Sequence, residues 1–313
     1  MLDVVTVAGI ALKTVIVVGA AGVLSLVLRR QSAAFGHVVW TAALALCVVM
    51  PLAVFLLPAH EVIAVASVPT TPLARVGARE WEGAVLALWL GGTCLVLLQE
   101  LLATIGLARW LRHASPLTSP RWSATLAHIG FDHRRLQVLE SQHIASPCTW
   151  GVIRPVLLLP TSGDTWPDSS RRAALLHELA HIERRDALST LVARLACALY
   201  WFNPLVWIAA ERIRSLQERA CDDAVLRAGA MPSDYAQFLL DVAAHTSRGA
   251  TRPAHASLGM THGCSLRARI VAILDPQASR LRPRRIRVIA ACAALFVFTI
   301  LLATITEERC TGS

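Results

Sequence analysis

Two histidines and a glutamate in ALLHELAHIERRD (174–186) have the spacing with which a helix can bind a metal ion. Side chains four residues apart lie on one face of a helix, so His177 and His181 can direct ring nitrogens at the same ion. Catalytic zinc takes three protein ligands and keeps a fourth position for water. Glu178 directly follows the first histidine and is placed to take a proton from that water. The motif predicts a hydrolytic site with one Zn²⁺ per chain, and it leaves one protein ligand to be found.

The third ligand is predicted on a second helix, within SLQERACDDAV (215–225). Glu218 is the first candidate, and Glu211, two turns earlier, is the alternative. Asp222 follows Glu218 by four residues, so it lies on the same face and can accept a hydrogen bond from a ligand imidazole. Asp186 is expected to support the site in the same way, or to serve the structure, rather than to bind the metal.

The composition is typical of a membrane protein. Hydrophobic residues make up 55% of the 313 residues, charged residues make up 16%, and the mean hydropathy is +0.54. An average soluble domain has about 25% charged residues. Four apolar segments reach the roughly 20 residues that a helix needs to cross a bilayer, and they lie at about 4–28, 37–57, 83–108 and 286–305.

The net charge of +9 comes from arginine, because Lys13 is the only lysine among the 30 basic residues. In so apolar a chain this charge indicates contact with an anionic lipid bilayer. The arginines are dispersed and form no helix-turn-helix pattern, so no direct nucleic-acid binding is predicted. Pairs of arginines follow the first and third spans, and the positive-inside rule places both pairs in the cytosol: Arg29 with Arg30, and Arg109 with Arg112.

These segments divide the chain into three parts. Residues 1–108 are predicted to form a three-helix transmembrane region, and 286–313 a fourth transmembrane helix with a short extracytoplasmic tail. The more polar part between them, 109–285, is large enough for one globular domain. It is predicted to be cytosolic and to carry the zinc site. The chain is therefore expected to be a multi-pass protein of the cell membrane whose active site faces the cytosol.

Two short apolar runs in the middle part predict strands, at 135–141 and 154–160. Proline is confined to edge strands and strand starts, so Pro155 indicates that the second run is an edge strand. We expect a substrate peptide to pair with this edge in an extended conformation.

Helix signals follow the two strands. Asp168 or Ser169 is expected to cap the helix that carries the histidines, because a side-chain oxygen there satisfies a free backbone N–H. A later helix is predicted from Pro204 to Gly229, since proline favours the first turn and glycine the end of a helix. Another helix is predicted over 265–275.

The run ALSTLVARLACALYWFNPLVWIAA (187–210) is long and apolar enough to be a fifth span. As a single crossing, it would separate Glu218 from the two histidines by the full bilayer, and the metal site could not close. Arg194 and the break at Asn203 and Pro204 also disfavour a crossing. We expect a buried core helix, or a shallow hairpin that returns to the same side.

Four segments, taken in order, resemble the BlaR/MecR-type antirepressor membrane metallopeptidases. They are SPCTWGVIRPVLLLP (146–160), LLHELAHIERRDAL (175–188), YWFNPLVW (200–207) and ERACDDAVL (218–226). The resemblance covers essentially the whole chain and implies a mainly α membrane protein, with about four transmembrane helices and an inserted cytosolic gluzincin-like α+β metallopeptidase domain. It also implies that His177, His181 and Glu218 bind zinc, that Glu178 is the catalytic base, and that the substrate is a cytosolic DNA-binding repressor.

The best-known members of that family carry a large extracellular penicillin-binding sensor after the last span. Here TEERCTGS (306–313) follows the span and no serine acylation motif is visible, so a β-lactam receptor is not expected. The Gly/Pro/Ser-rich segment 246–263 is a predicted site of self-cleavage, because exposed loops of this kind are preferred by proteases. The alternative function is a non-catalytic signalling or scaffold protein with a structural zinc. Such a protein would not need Glu178, whose presence favours catalysis.

Overall fold

The computed structural model describes residues 4–28, 31–56, 72–130, 136–247 and 266–304. Within these ranges, four helices have the length and apolar composition to cross a membrane. They are α1 (Val4–Val27), α2 (Ala33–Leu56), α3 (Pro72–Leu111) and the last helix, α10 (Arg285–Thr304). Their apolar stretches overlap the four segments expected from composition, so the prediction of about four candidate membrane-spanning helices is confirmed. The second helix begins at Ala33 rather than at residue 37.

A small sheet follows the third span. Its strands are β1 (Ser115–Pro116), β2 (Gln137–Ser141), β3 (Cys148–Trp150) and β4 (Val156–Pro160), and helix α4 (Pro120–Ile129) lies between the first two in sequence. The order across the sheet is β1-β2-β4-β3, with β2 parallel to β4 and the outer pairs antiparallel. Side chains alternate along β4, so Leu157 and Leu159 pack towards α4, while Val156 and Leu158 pack towards the end of α3.

The prediction that 154–160 contains an edge strand is wrong. Strand β4 is paired on both sides, and all five of its residues are buried. Pro155 lies just before the first paired residue, Val156, so its missing N–H removes no bond from the ladder. Its carbonyl accepts a bond from the Gln137 N–H at 3.3 Å. Among the described residues, β3 is the edge of the sheet on this side.

Among the described residues, five more α-helices lie between the sheet and the fourth span. They are α5 (Asp168–Glu183), α6 (Asp186–Leu199), α7 (Pro204–Arg227), α8 (Pro232–Ser247) and α9 (Leu266–Leu274). The helices predicted from Pro204 and over 265–275 are confirmed as α7 and α9. Of the predicted self-cleavage segment, residues 248–263 lie outside the described ranges, and residues 246 and 247 end α8.

The predicted cap of α5 is wrong. Pro167 occupies the capping position and makes no side-chain bond, and Asp168 is the first helical residue. The Asp168 carboxylate pairs with Arg171 one turn later. A carboxylate in the first turn still favours the helix through its dipole. By contrast, Asn203 caps α7 with its side chain, whose Oδ1 accepts from the Leu205 N–H at 3.0 Å.

Residues 187–210 form an antiparallel hairpin from α6 and the start of α7. The chain reverses at its tip, where the Asn203 N–H donates to the Tyr200 carbonyl at 2.8 Å. It returns to its starting level, because Gln217 Nε2 donates to the carbonyl of Asp186 at 3.1 Å. The tip packs against the spans, since the Tyr200 hydroxyl donates to the Cys47 carbonyl of α2 at 2.8 Å. The hairpin therefore carries the chain along the spans and back to the level at which α6 began.

Candidate metal centre

Helices α5 and α7 bring the three predicted ligands together. His177 Nε2 lies 3.5 Å from Glu218 Oε2, and His181 Nε2 lies 3.6 Å from Glu218 Oε1. One donor atom from each of the three residues lies within 4.8 Å of the other two. Tetrahedral zinc with bonds of about 2.1 Å separates neighbouring ligand atoms by about 3.4 Å. The donors thus have the chemistry and the spacing that a zinc ion requires.

The alternative ligand, Glu211, is not part of this group. It lies seven residues before Glu218 on α7, which is about 10.5 Å along the helix axis. Within the described part of the chain, the cluster that includes both histidines is completed by Glu218.

Asp186 holds the second histidine. The chain turns sharply between α5 and α6 at Arg185, whose φ of 56° is left-handed and costs a residue with a side chain about 1–2 kcal/mol. This turn brings the Asp186 carboxylate back to His181, which donates from Nδ1 to Oδ2 at 2.8 Å. With Nδ1 engaged, Nε2 of His181 is left to face Glu218. Arg184 donates from Nε to the other carboxylate oxygen at 3.2 Å.

The first histidine is held by a pair of residues, Tyr235 and Asp222. His177 Nδ1 lies 3.1 Å from the Tyr235 hydroxyl and 3.3 Å from Asp222 Oδ1. The same hydroxyl donates to Asp222 Oδ1 at 2.8 Å. Asp222 therefore lies beside the ligand imidazole as the sequence predicted, with a tyrosine inserted that the sequence reasoning missed.

Arg269 of α9 is a second residue that sequence reasoning missed. It donates to both oxygens of Asp222, at 2.9 and 2.6 Å, and its Nη1 lies 2.9 Å from Glu218 Oε2. Its cation balances the two carboxylates of α7. Tyr235 carried a weak signal, as one of two tyrosines in the chain, whereas Arg269 is one arginine among many.

The charges of this cluster shift the pKa values of its members. Burial disfavours the charged form of all three groups, but hydrogen bonds and opposite charges outweigh it. Asp222 and Glu218 raise the pKa of His177 to about 10. His177 and Arg269 lower the pKa of Glu218 to about 2 and hold that of Asp222 well below its usual range. Both carboxylates are ionised at neutral pH and present negative charge to a cation. A metal ion that binds here must displace the proton from His177, because a ligand imidazole is neutral.

Glu178 lies outside the donor cluster, on the half-buried side of α5. Helix α5 packs against β3, and Glu178 is near enough to the Cys148 thiol of that strand for the two groups to interact electrostatically. Among the described residues the carboxylate of Glu178 is therefore not part of the donor cluster, and it lies in the neighbourhood of β3.

Cys221 is a third neighbour of the site that the sequence did not reveal. Its thiol donates to Asp186 Oδ2 at 3.7 Å, and with His181 and Asp186 it forms a second group of closely spaced donor atoms. Burial raises the pKa of Cys221 well above its usual range. In this structure the Cys221 thiol acts as a hydrogen-bond donor to Asp186.

Comparison with known proteins places these features in context. A family model described as "BlaR1 peptidase M56" matches residues 5–273. The chain is 32% identical to the "Regulatory protein BlaR1" of Bacillus licheniformis over 151 residues, which is 47% of this chain and 25% of that protein. It is 23% identical over 146 residues to the "Methicillin resistance mecR1 protein" of Staphylococcus aureus, 46% of this chain and 25% of that protein. The match spans about a quarter of the length of these relatives.

Proposed function

The chain belongs to the BlaR1 peptidase M56 family, and we propose that it is an integral-membrane zinc metallopeptidase acting in signal transduction. The observation that carries the proposal is the donor set of His177, His181 and Glu218, at separations that suit tetrahedral zinc, with Glu178 beside it but not part of it. A structural zinc site closes its fourth position, whereas a catalytic site keeps it open. The described residues supply three donors to this cluster, which favours catalysis.

Each residue has a distinct task in peptide hydrolysis. A bound zinc ion supplies Lewis acidity and lowers the pKa of a water molecule towards about 7. Glu178 accepts a proton from the attacking water and then delivers it to the leaving nitrogen. Asp186 and the Asp222–Tyr235 pair keep the two imidazoles oriented, with Nε2 of each ring facing Glu218.

The substrate segment is proposed to bind in an extended conformation along β3. Among the described residues this strand is an edge of the sheet, and it lies against α5, near Glu178. Strand addition uses backbone hydrogen bonds and so accepts many sequences. The sequence predicted that a substrate peptide pairs with 154–160. We propose instead that it pairs with Cys148–Trp150.

The substrate is proposed to be a cytosolic protein, a DNA-binding repressor by the resemblance given above. Self-cleavage within 246–263 stays a prediction, as does the division of the chain at residues 108 and 285. The large exposed side chains Leu188, Phe202 and Ile208 on the α6–α7 hairpin suit contact with lipid, and we propose that the hairpin enters the bilayer from the cytosolic side.

Replacing Glu178 tests the catalytic assignment. We expect purified wild type and Glu178→Ala to hold about one zinc per chain, and cleavage of a fluorogenic peptide library to fall by a factor of about 10²–10⁴ in the variant. The control is Glu183→Ala, which removes an exposed carboxylate from the same helix and should change neither result. Equal activity in wild type and Glu178→Ala refutes the mechanism. Zinc without activity in the wild type supports the structural-zinc alternative.

The side of the membrane is tested by labelling. In a background without reactive cysteines, Thr165→Cys and Ala230→Cys flank the metal centre in sequence, one on each side of the α6–α7 hairpin. We expect an impermeant maleimide to reach both only from the cytosolic face. Labelling of one position from outside and of the other from inside would contradict the shared site.

A further inference from the structure

A buried histidine lies on the second span, close to the metal centre. His37 is one turn from the start of α2 and is 6% exposed. Its Nε2 lies 3.0 Å from Ser189 Oγ and 3.8 Å from Asp186 Oδ1, both on the first turn of α6. Burying a polar ring between packed helices destabilises the protein unless the ring is hydrogen-bonded. The hydrogen bond between His37 and Ser189 of α6 offsets this cost.

The donors and acceptors around His37 can be assigned. Ser189 donates its single hydroxyl proton to the Asp186 carbonyl at 2.9 Å, and Thr41 donates its own to the His37 carbonyl at 2.8 Å. Both hydroxyls can then only accept from the ring. His37 Nε2 therefore carries the hydrogen and donates it to Ser189 Oγ. The same N–H group, whose hydrogen has a partial positive charge, lies on the side of the ring nearest Asp186 Oδ1.

The same contacts reach a metal ligand. Asp186 uses Oδ2 for His181, at 2.8 Å, and turns Oδ1 towards His37. Its backbone carbonyl is held by Ser189 and also by Gln217 of α7, at 3.1 Å, and Gln217 in turn donates to Ser189 Oγ at 2.8 Å. The position of the Asp186 carboxylate thus depends on the first turn of α6, which His37 ties to the membrane span.

We infer that His37 is a positioning residue of the metal centre, linking the second membrane span to the ligand His181 through Ser189 and Asp186. The inference rests on the proposed function, since it concerns the geometry of that zinc site. A displacement of α2 along α6 would move Ser189 and Asp186 and so alter the hold on His181. This gives a signal in the membrane a direct route to the catalytic metal.

Variants of His37 test the link. His37→Leu removes the donor, whereas His37→Gln can place an amide N–H near the position of Nε2. Trp40→Phe is the matched control, because it removes a hydrogen bond to Ser25 from the same helix without touching this network. Ser189→Ala removes the acceptor on α6.

The main readouts are zinc affinity, measured by competition with a chelator, and the visible spectrum of the Co²⁺-substituted protein, which reports ligand geometry. Loss of a residue that directly supports a metal ligand weakens binding by about 10–100-fold. His37 acts one step further out, so we expect His37→Leu to weaken zinc binding roughly 3–10-fold and to shift the cobalt bands. His37→Gln and Trp40→Phe should match the wild type.

The double variant His37→Leu/Ser189→Ala separates positioning from general destabilisation. If the two residues act through one bond, the double variant should lose no more zinc affinity than the weaker-binding single variant. Full additivity, or a His37→Leu protein with wild-type zinc affinity and cobalt spectrum, overturns the inference. Because both readouts need only metal binding, they test His37 even if the peptidase assay fails for the wild type.

Discussion

The two ends of α7 are held in place by different kinds of contact. At the start of α7, next to the hairpin tip, neutral side chains bind backbone carbonyls: Trp207 Nε1 donates to Trp201 at 3.0 Å, and Trp201 Nε1 donates to Trp89 of α3 at 3.3 Å. Near its end, ionised side chains bind one another, as in the pairing of Arg269 with Glu218 and Asp222.

The difference follows from the surroundings of each end. The tip lies beside Cys47, 14 residues into α2 from Ala33, which is about 21 Å along the span. In apolar surroundings each polar group needs a protein partner, and a neutral indole or phenol satisfies a carbonyl without burying charge. At the candidate metal centre the opposite charges of Arg269, Glu218 and Asp222 balance each other. The start of α7 thus packs against the spans, and its end contributes to the candidate metal centre. Substitutions at one end should therefore not affect the other.

The largest effect is expected from Glu218→Ala. It removes one of the three proposed metal ligands, so zinc affinity should fall by more than the roughly 100-fold seen when a supporting residue is lost, and peptidase activity should fall with it. Glu211→Ala, two turns away on the same helix, is the control and should keep both properties. Chelator competition decides the matter, and metal loss in Glu211→Ala alone would show that the third ligand was misassigned.

The two tyrosines of the chain sharpen the comparison. Tyr235→Phe removes the hydroxyl between His177 and Asp222, so zinc affinity should fall about tenfold, as for other supporting residues. Tyr200→Phe leaves the Cys47 carbonyl without its partner at the tip, which should lower stability by about 1 kcal/mol and leave zinc affinity unchanged. Thermal unfolding in detergent and chelator competition on both variants would measure this. An effect of Tyr200→Phe on zinc would show that the two ends are coupled.

An effect on stability alone is expected at α3. A Cβ at Gly92 would lie 2.3 Å from the Trp201 ring, so Gly92→Ala should displace the tip and lower stability by about 1–3 kcal/mol. Gly91→Ala is the matched control, because among the described residues no atom lies within 4 Å of its added Cβ. Thermal unfolding should separate the two variants while their zinc content stays equal. Equal unfolding temperatures would mean that the tip is not held against α3 as described.

Local sequence patterns predicted most of the helices and strands. They did not predict which strands pair, because strand pairing depends on tertiary packing. Four spans follow from runs of about 20 apolar residues, because a bilayer imposes length on any helix that crosses it. The pairing of β4 could not be read from Pro155, because a proline at a strand start is equally compatible with an edge or a central strand. The role of β3 as the edge beside α5 depended on strand order, which no local pattern encodes.

The sequence by itself determined that the two proposed metal donors of α5 lie together, since i, i+4 spacing places His177 and His181 on one face of any helix. Only the tertiary structure decided what surrounds them. Tyr235 meets His177 across 58 residues, Arg269 meets Asp222 across 47, and His37 meets Ser189 across 152. Such contacts depend on how α2, α8 and α9 pack around α5 to α7, and the side chains that make them have no periodicity to mark them. The histidines could be predicted because helical spacing depends on neighbouring residues. The residues that support them could not, because those contacts depend on how distant segments pack together.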